Sequence, residues 1–324
     1  MARGRKAVLP GGSGYLGGHL ARRLRDRGDE VVVLTRGPAG ERDGIRHVSW
    51  DGTSVGAWAA ELEGADAIVH LAGRRVDVRP TRRNVATLVR SRVEPVVAVG
   101  RALEQLTSPP PVWVQVATLA IFGDAGDELL DETSVPSGIG PAQMVAVALA
   151  WEHAFNAVAG CERSVLLRCG VAIGPEDPAT AQLTRLARLG LGGPIGSGRQ
   201  WLSWIALDDL LDVLERALDD EGMEGLYHVT SPNPVRNHEL MAAIRETVGR
   251  RRGLPSPAPL TRLGAWSMGS DPELALTGRR AVPARLQRDG HRFAQPTIEQ
   301  ALAAAGAVDR DSGTTGREAG TASR

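Results

Sequence analysis

The chain has 324 residues, 42% of them hydrophobic, and its 38 lysines and arginines balance 38 aspartates and glutamates. Such a chain has ample core for one large or two unequal domains, and its charge balance argues against a nucleic-acid or membrane-surface partner. Two cysteines, Cys161 and Cys169, are too few for a four-ligand zinc site and suit a reducing compartment.

The opening MARGRKAVLPGG has an apolar run too short for a signal peptide, and no later stretch approaches a membrane span, so the expected location is cytoplasmic. Ala7 to Leu9 reads as a buried strand, followed by the loop PGGSGYLGG. Leu16, Leu20 and Leu24 then form one apolar helical stripe that stops near Gly28. EVVVLTR, GIRHVSWD, ADAIVHLAG, PVWVQVA and RSVLLRCG read as the second to sixth strands, with helical stretches between. The longest of these, 81–106, carries Val85, Leu88, Val89, Val93, Val96 and Leu103. Strands alternating with helices predict an α/β fold, a Rossmann-like doubly wound parallel sheet. After residue 170 the pattern loosens into GLGGPIGSGRQ, TSPNPVRN and GLPSPAPL. The expected organisation is a dinucleotide-binding domain over 1–170, taking in about 204–230 as well. A smaller C-terminal substrate-binding lobe covers 171–305, and 306–324, with little to bury, is expected as a disordered tail.

The glycine loop leaves a strand and opens a helix, the context in which such a loop holds a nucleotide. Gly11 permits a tight turn, Gly14 lets backbone approach a pyrophosphate, and Gly17 allows helix to pack on strand. Gly11, Ser13, Gly14, Tyr15, Leu16 and Gly17 are therefore expected cofactor contacts. An acidic residue ending the second strand would bind a ribose hydroxyl, whereas Arg36 stands there and suits a 2′-phosphate. The expected cofactor is NADP(H) in preference to NAD(H). Asp51, after the third strand, is a candidate acceptor for the adenine amino group, or a cap of its own turn.

With HLAG at 70–73 and WIALDD near 204, these features resemble the extended short-chain dehydrogenase/reductase superfamily. DELLDE, AWE at 150–152, LGLGGPIGSGRQWLSWIALDDL at 189–210 and TSPNPVRNHEL at 230–240 resemble its atypical, NAD-dependent-epimerase-like subgroup, the SDR39U type. The resemblance covers about residues 5–303 and implies a Rossmann domain, a small substrate lobe and a nicotinamide dinucleotide. It adds Leu71, Ala72, Gly73, Cys169 and Gly170 as expected cofactor contacts, with a buried inert thiol as the plainer reading of Cys169. The superfamily's Tyr and Lys, four residues apart on a helix, are missing. The only lysine is Lys6, the tyrosines are Tyr15 and Tyr227, and Gln143 and Val147 occupy the dyad positions.

Thr118, at the carboxyl end of the fifth strand, and Gln143 are the expected catalytic positions. Arg199, Trp201 and Trp204 combine forked donors with flat apolar surface and are the expected substrate contacts for an aromatic or anionic small molecule. His70 reads first as a core histidine. The arginine run 74–83 reads as a solvated face or as a cover for an anion. Helices 81–106 and 141–158 serve the core or a homodimer face. The expected function is an NADP(H)-dependent oxidoreductase acting on a conjugated or cyclic carbonyl compound of specialised metabolism. A non-redox isomerase, dehydratase or cyclase, and an NADP(H)-sensing protein, are the alternatives.

Overall fold

Successive side chains of a strand point to opposite faces, so a strand apolar at every position must be covered on both sides. The computed structural model, which describes residues 4–136 and 142–312, meets that demand with one eight-stranded sheet. Its strands are β1 (Lys6–Pro10), β2 (Glu30–Thr35), β3 (Gly40–Arg42), β4 (Ile45–Ser49), β5 (Ala67–His70), β6 (Val112–Thr118), β7 (Arg163–Cys169) and β8 (Gly225–Val229). The spatial order is β8-β7-β6-β5-β1-β2-β4-β3, parallel throughout except for β3 against β4. The doubly wound α/β fold read from the sequence is the fold of the chain.

Strand alternation sorts the core into two layers. Leu9, Val31 and Val33 pack with Leu20 and Leu24 of α1 (Tyr15–Asp26) and Leu210 and Leu214 of the helix Leu207–Asp219. Val8, Val32, Leu34 and Ile68 pack with Val96 and Val99 of α2 (Arg82–Leu103) and Trp151 and Phe155 of α3 (Ala142–Asn156). The Thr81 hydroxyl caps α2 by accepting from the Asn84 N–H at 3.2 Å.

The edge strand β8 pairs with β7, so the sheet draws a strand from well beyond residue 170. A separate core of Ile173, Trp204, Leu240, Met241, Ile244, Ile298 and Leu302 organises the smaller lobe. Its last helix, Ile298–Ser312, extends into the segment expected as a tail, and 313–324 lie outside the described residues. Among the described residues no helix is long and apolar enough to cross a membrane, and no cluster of His, Cys, Asp and Glu could hold a metal ion.

Candidate active site

The strand order reverses between β1 and β5, and ligands of open α/β sheets bind in the crevice beyond the strand ends at such a point. Gly11, with φ +78°, closes the turn there, and a Cβ on it would stand 2.5 Å from Ala72 Cα. A Cβ on Gly17 would stand 2.5 Å from Gly12 Cα, so only glycine lets α1 sit on the loop. Gly14 differs, since its Cβ would meet nothing closer than the Gly11 carbonyl oxygen at 3.7 Å. It therefore faces open space. Gly14 caps α1 without a side-chain bond, and the first turn holds no acidic residue, which leaves first-turn N–H groups to an anion.

In front of this turn lies a cleft of about 380 Å³, whose lining includes Gly11, Ser13, Gly14, Arg36, Asp51, Ala72 and Gly73. Arg74, Thr87, Arg90, Ser91 and Glu94 form its other wall. Arg36, Arg74 and Arg90 have no ion-pair partner among the described residues. The Thr35 hydroxyl donates to Ser13 Oγ at 3.1 Å and ties the end of β2 to the glycine loop. Asp51 accepts from the N–H groups of Thr53 and Ser54, at 2.8 and 2.9 Å, and from the Ser54 hydroxyl. Those bonds hold its carboxyl well below the usual carboxylate range and occupy much of its accepting capacity. Open backbone donors flanked by unpaired guanidiniums fit a phosphate-rich dinucleotide.

A second cavity of about 220 Å³ lies at the carboxyl ends of β6 and β7, where Thr118 and Gly170 line it. Val76, Leu119, Ala120, Met144, Trp151, Gly170, Val171, Trp201 and Leu202 give it mainly apolar walls, joined by Thr118, Ser203, Thr277, Arg92 and Arg279. The hydroxyls of Ser203 and Thr277 donate to the carbonyls of Arg279 and Glu273, at 3.0 and 2.6 Å. Thr118 differs, because its Oγ1 accepts from the Ala120 N–H at 3.1 Å and its proton has no acceptor among the described residues. The indole N–H of Trp151 also lacks one. Gly170 is required where it stands, since a Cβ would meet the Ser203 carbonyl oxygen at 2.7 Å.

Neither tyrosine reaches this cavity. The Tyr15 hydroxyl donates to the Pro175 carbonyl at 2.7 Å, and Tyr227 bonds Asp289 at 3.1 Å. Val147 is fully buried, and the side chain of Gln143 lies outside the described residues. Leu16, Leu71 and Cys169 pack against the core behind the cleft. The Cys169 thiol approaches the Leu167 carbonyl at 3.5 Å, and burial pushes it up to about 12, which keeps it protonated. His70 is a fully buried core histidine beside Trp113.

Two expected substrate contacts lie away from the second cavity. Trp204 is fully buried in the core of the smaller lobe, where its indole donates to the Asn233 carbonyl at 3.0 Å. Arg199 is exposed and lines neither cavity. Trp201 does line the second cavity, with its indole donating to Asp127 at 2.7 Å and the guanidiniums of Arg236 and Arg280 over its ring. Arg74 opens the arginine run read as a possible cover for an anion, whereas the sequence reading missed Arg90 as a cleft residue, and Met144, Trp151, Arg92 and Arg279 in the second cavity.

Comparison with known proteins gives concordant matches. Residues 7–229 match the NAD dependent epimerase/dehydratase family, and 256–305 match a domain of unknown function, DUF1731. The human epimerase family protein SDR39U1 is 30% identical over 301 residues, 92% of this chain and 98% of that protein. The crystal structure of its isoform 2 with NADPH superposes with a TM-score of 0.82 at 28% identity, covering 93% of this chain and 99% of that one. A nucleoside-diphosphate sugar epimerase from Corynebacterium glutamicum superposes with a TM-score of 0.73 at 28% identity, over 93% of this chain and 58% of that one.

Proposed function

The chain belongs to the NAD dependent epimerase/dehydratase family, and from that premise we propose that it is an NADP(H)-dependent oxidoreductase for a small, conjugated or cyclic carbonyl compound. The observation that carries this reading is the presence of two unlike spaces, a cationic glycine-floored cleft and a mainly apolar cavity, both at the carboxyl ends of the parallel strands. NADPH binding in the human relative's structure supports the cofactor assignment.

In this reading the loop around Gly14 and the first turn of α1 bind the pyrophosphate, and Arg36 recognises the 2′-phosphate. Bound there, the nicotinamide dinucleotide supplies a hydride to an electrophilic carbon. Thr118 donates a hydrogen bond from its uncommitted hydroxyl to the substrate oxygen and thereby orients it, while the proton that balances the hydride is taken from solvent water. The walls formed by Leu119, Met144 and Trp151 exclude water from that bond, which strengthens it. A conjugated substrate suits this wall, because its electron sink lowers the demand for an acid that no tyrosine supplies. A non-redox isomerase would need an acid–base group, and the described cavity lining offers only guanidiniums, so that reading stands second.

The test is isotope transfer from 4-deuterated NADPH to a panel of enones, quinones and cyclic ketones. Deuterium in the product is the expected result. Conversion without label or cofactor consumption selects the isomerase, and tight NADPH binding without turnover selects a sensor.

A further inference from the structure

We propose that Arg92 and Arg279 form an anion site in the second cavity, and that the substrate is a small molecule bearing a carboxylate beside its reducible group. The inference rests on the reading of that cavity as the substrate site. Arg92 comes from α2 and Arg279 from the smaller lobe, so the two lobes each contribute one cation. Neither has a carboxylate at ion-pair distance among the described residues, and no acidic residue lines the cavity.

A buried charge without its partner is expensive, and the molecule itself supplies the contrast. Arg168, as buried as Arg92, forks onto Glu152 with two bonds of 2.8 Å. Arg92 reaches only neutral acceptors, the carbonyls of Arg74 at 3.0 Å and Leu88 at 3.3 Å and the Ser91 hydroxyl at 3.4 Å. The side chain of Arg279 makes no hydrogen bond among the described residues, and its Nε is buried without an acceptor. Trp151, beneath the Arg92 guanidinium at 5.1 Å, adds a buried N–H with no acceptor. Burial pushes both guanidiniums down to about 10, and for Arg279 it outweighs the attraction of Asp124.

A carboxylate matches such donors through charge-assisted bonds. The cavity of about 220 Å³ lies below the roughly 300–1,000 Å³ usual for ligand pockets, which selects a small acid over a nucleotide sugar. The apolar side chains of Val76, Leu119, Met144 and Leu202 suit a conjugated tail.

Calorimetric titration of the full chain saturated with NADPH tests this with trans-cinnamate, its neutral isostere cinnamamide, phenyl phosphate and UDP-glucose. Cinnamate should bind at least about tenfold more tightly than cinnamamide, the increment of one charged hydrogen bond. Arg92→Gln and Arg279→Gln should each weaken cinnamate about tenfold and leave cinnamamide within about twofold, while Arg279→Lys retains most of the preference. NADPH affinity, measured in each variant, should hold for Arg279→Gln and so separates loss of the site from loss of the fold. Equal binding of acid and amide, indifference to both glutamine variants, tighter binding of phenyl phosphate or UDP-glucose, or no binding of either anion at millimolar concentration would overturn the proposal. Binding is read without turnover, so failure of deuterium transfer would sink the redox reading and leave the anion site standing.

Discussion

The cleft and the cavity draw on neighbouring stretches of chain, Gly73 and Arg74 of one preceding Val76 of the other and Ser91 preceding Arg92 on α2. They are nevertheless built from different materials. The cleft is floored by backbone, with glycines that leave N–H groups accessible and arginines that remain solvated. The cavity is walled by side chains, apolar ones around the buried Arg92 and the partly buried Arg279. Backbone donors recognise a group common to many ligands, such as a phosphate, whereas desolvated side chains discriminate among shapes and charges. The first space suits a shared cofactor, and the second suits one substrate.

The sharpest way to break this distinction is at the glycines. Gly14→Val should fold, because the new side chain enters open space, yet weaken NADPH binding by about 100-fold or more, as it fills the place of a phosphate. Gly17→Val should fail differently, costing about 2–4 kcal/mol of stability because its Cβ meets backbone at 2.5 Å. Parallel melting and NADPH titration of the two variants separates the effects. A Gly14→Val protein that still binds NADPH would reduce the loop to a structural turn.

Arg36→Ala probes the same cleft at its edge. Loss of a charge-assisted bond to the 2′-phosphate should weaken NADPH about 10–100-fold and leave NADH within about twofold. Equal losses for both cofactors would remove the 2′-phosphate from its role.

What the sequence disclosed follows the same division. A strand, three spaced glycines and a helix are contiguous, so the cleft's floor is legible from local pattern, and Arg36 is legible as the end of β2. The cavity gathers residues from 76 to 279, and no local pattern joins them. Arg92 left one trace. It stands four residues after Leu88 and four before Val96, on a stripe otherwise buried and apolar, and an arginine in that register signals a buried charge without naming its partner. Arg279 carries no comparable mark. Trp201 and Trp204 look equivalent in the sequence, and only the pairing of Trp204 with Val171 commits the second to the lobe's core. β8 escaped a strand-by-strand reading because LYHV is short and follows a long helix, and its place is set by β7 rather than by its own pattern.

Thr118 gives the subtlest test, because its one hydroxyl serves both the fold and the cavity. As acceptor it caps the short helix Leu119–Phe122 through the Ala120 N–H, and as donor it has no protein partner among the described residues. Thr118→Val keeps the shape and removes both functions. The lost cap should cost about 1 kcal/mol, a fall in Tm of about 2–4 °C. The lost donor should reduce kcat about 100-fold if it stabilises developing charge on the substrate oxygen, while NADPH affinity stays within about twofold. Thr118→Ser should recover both. Recovery of Tm without loss of turnover in the valine variant would assign the hydroxyl to the cap alone, and would leave Trp151 and the two arginines as the polar groups facing substrate.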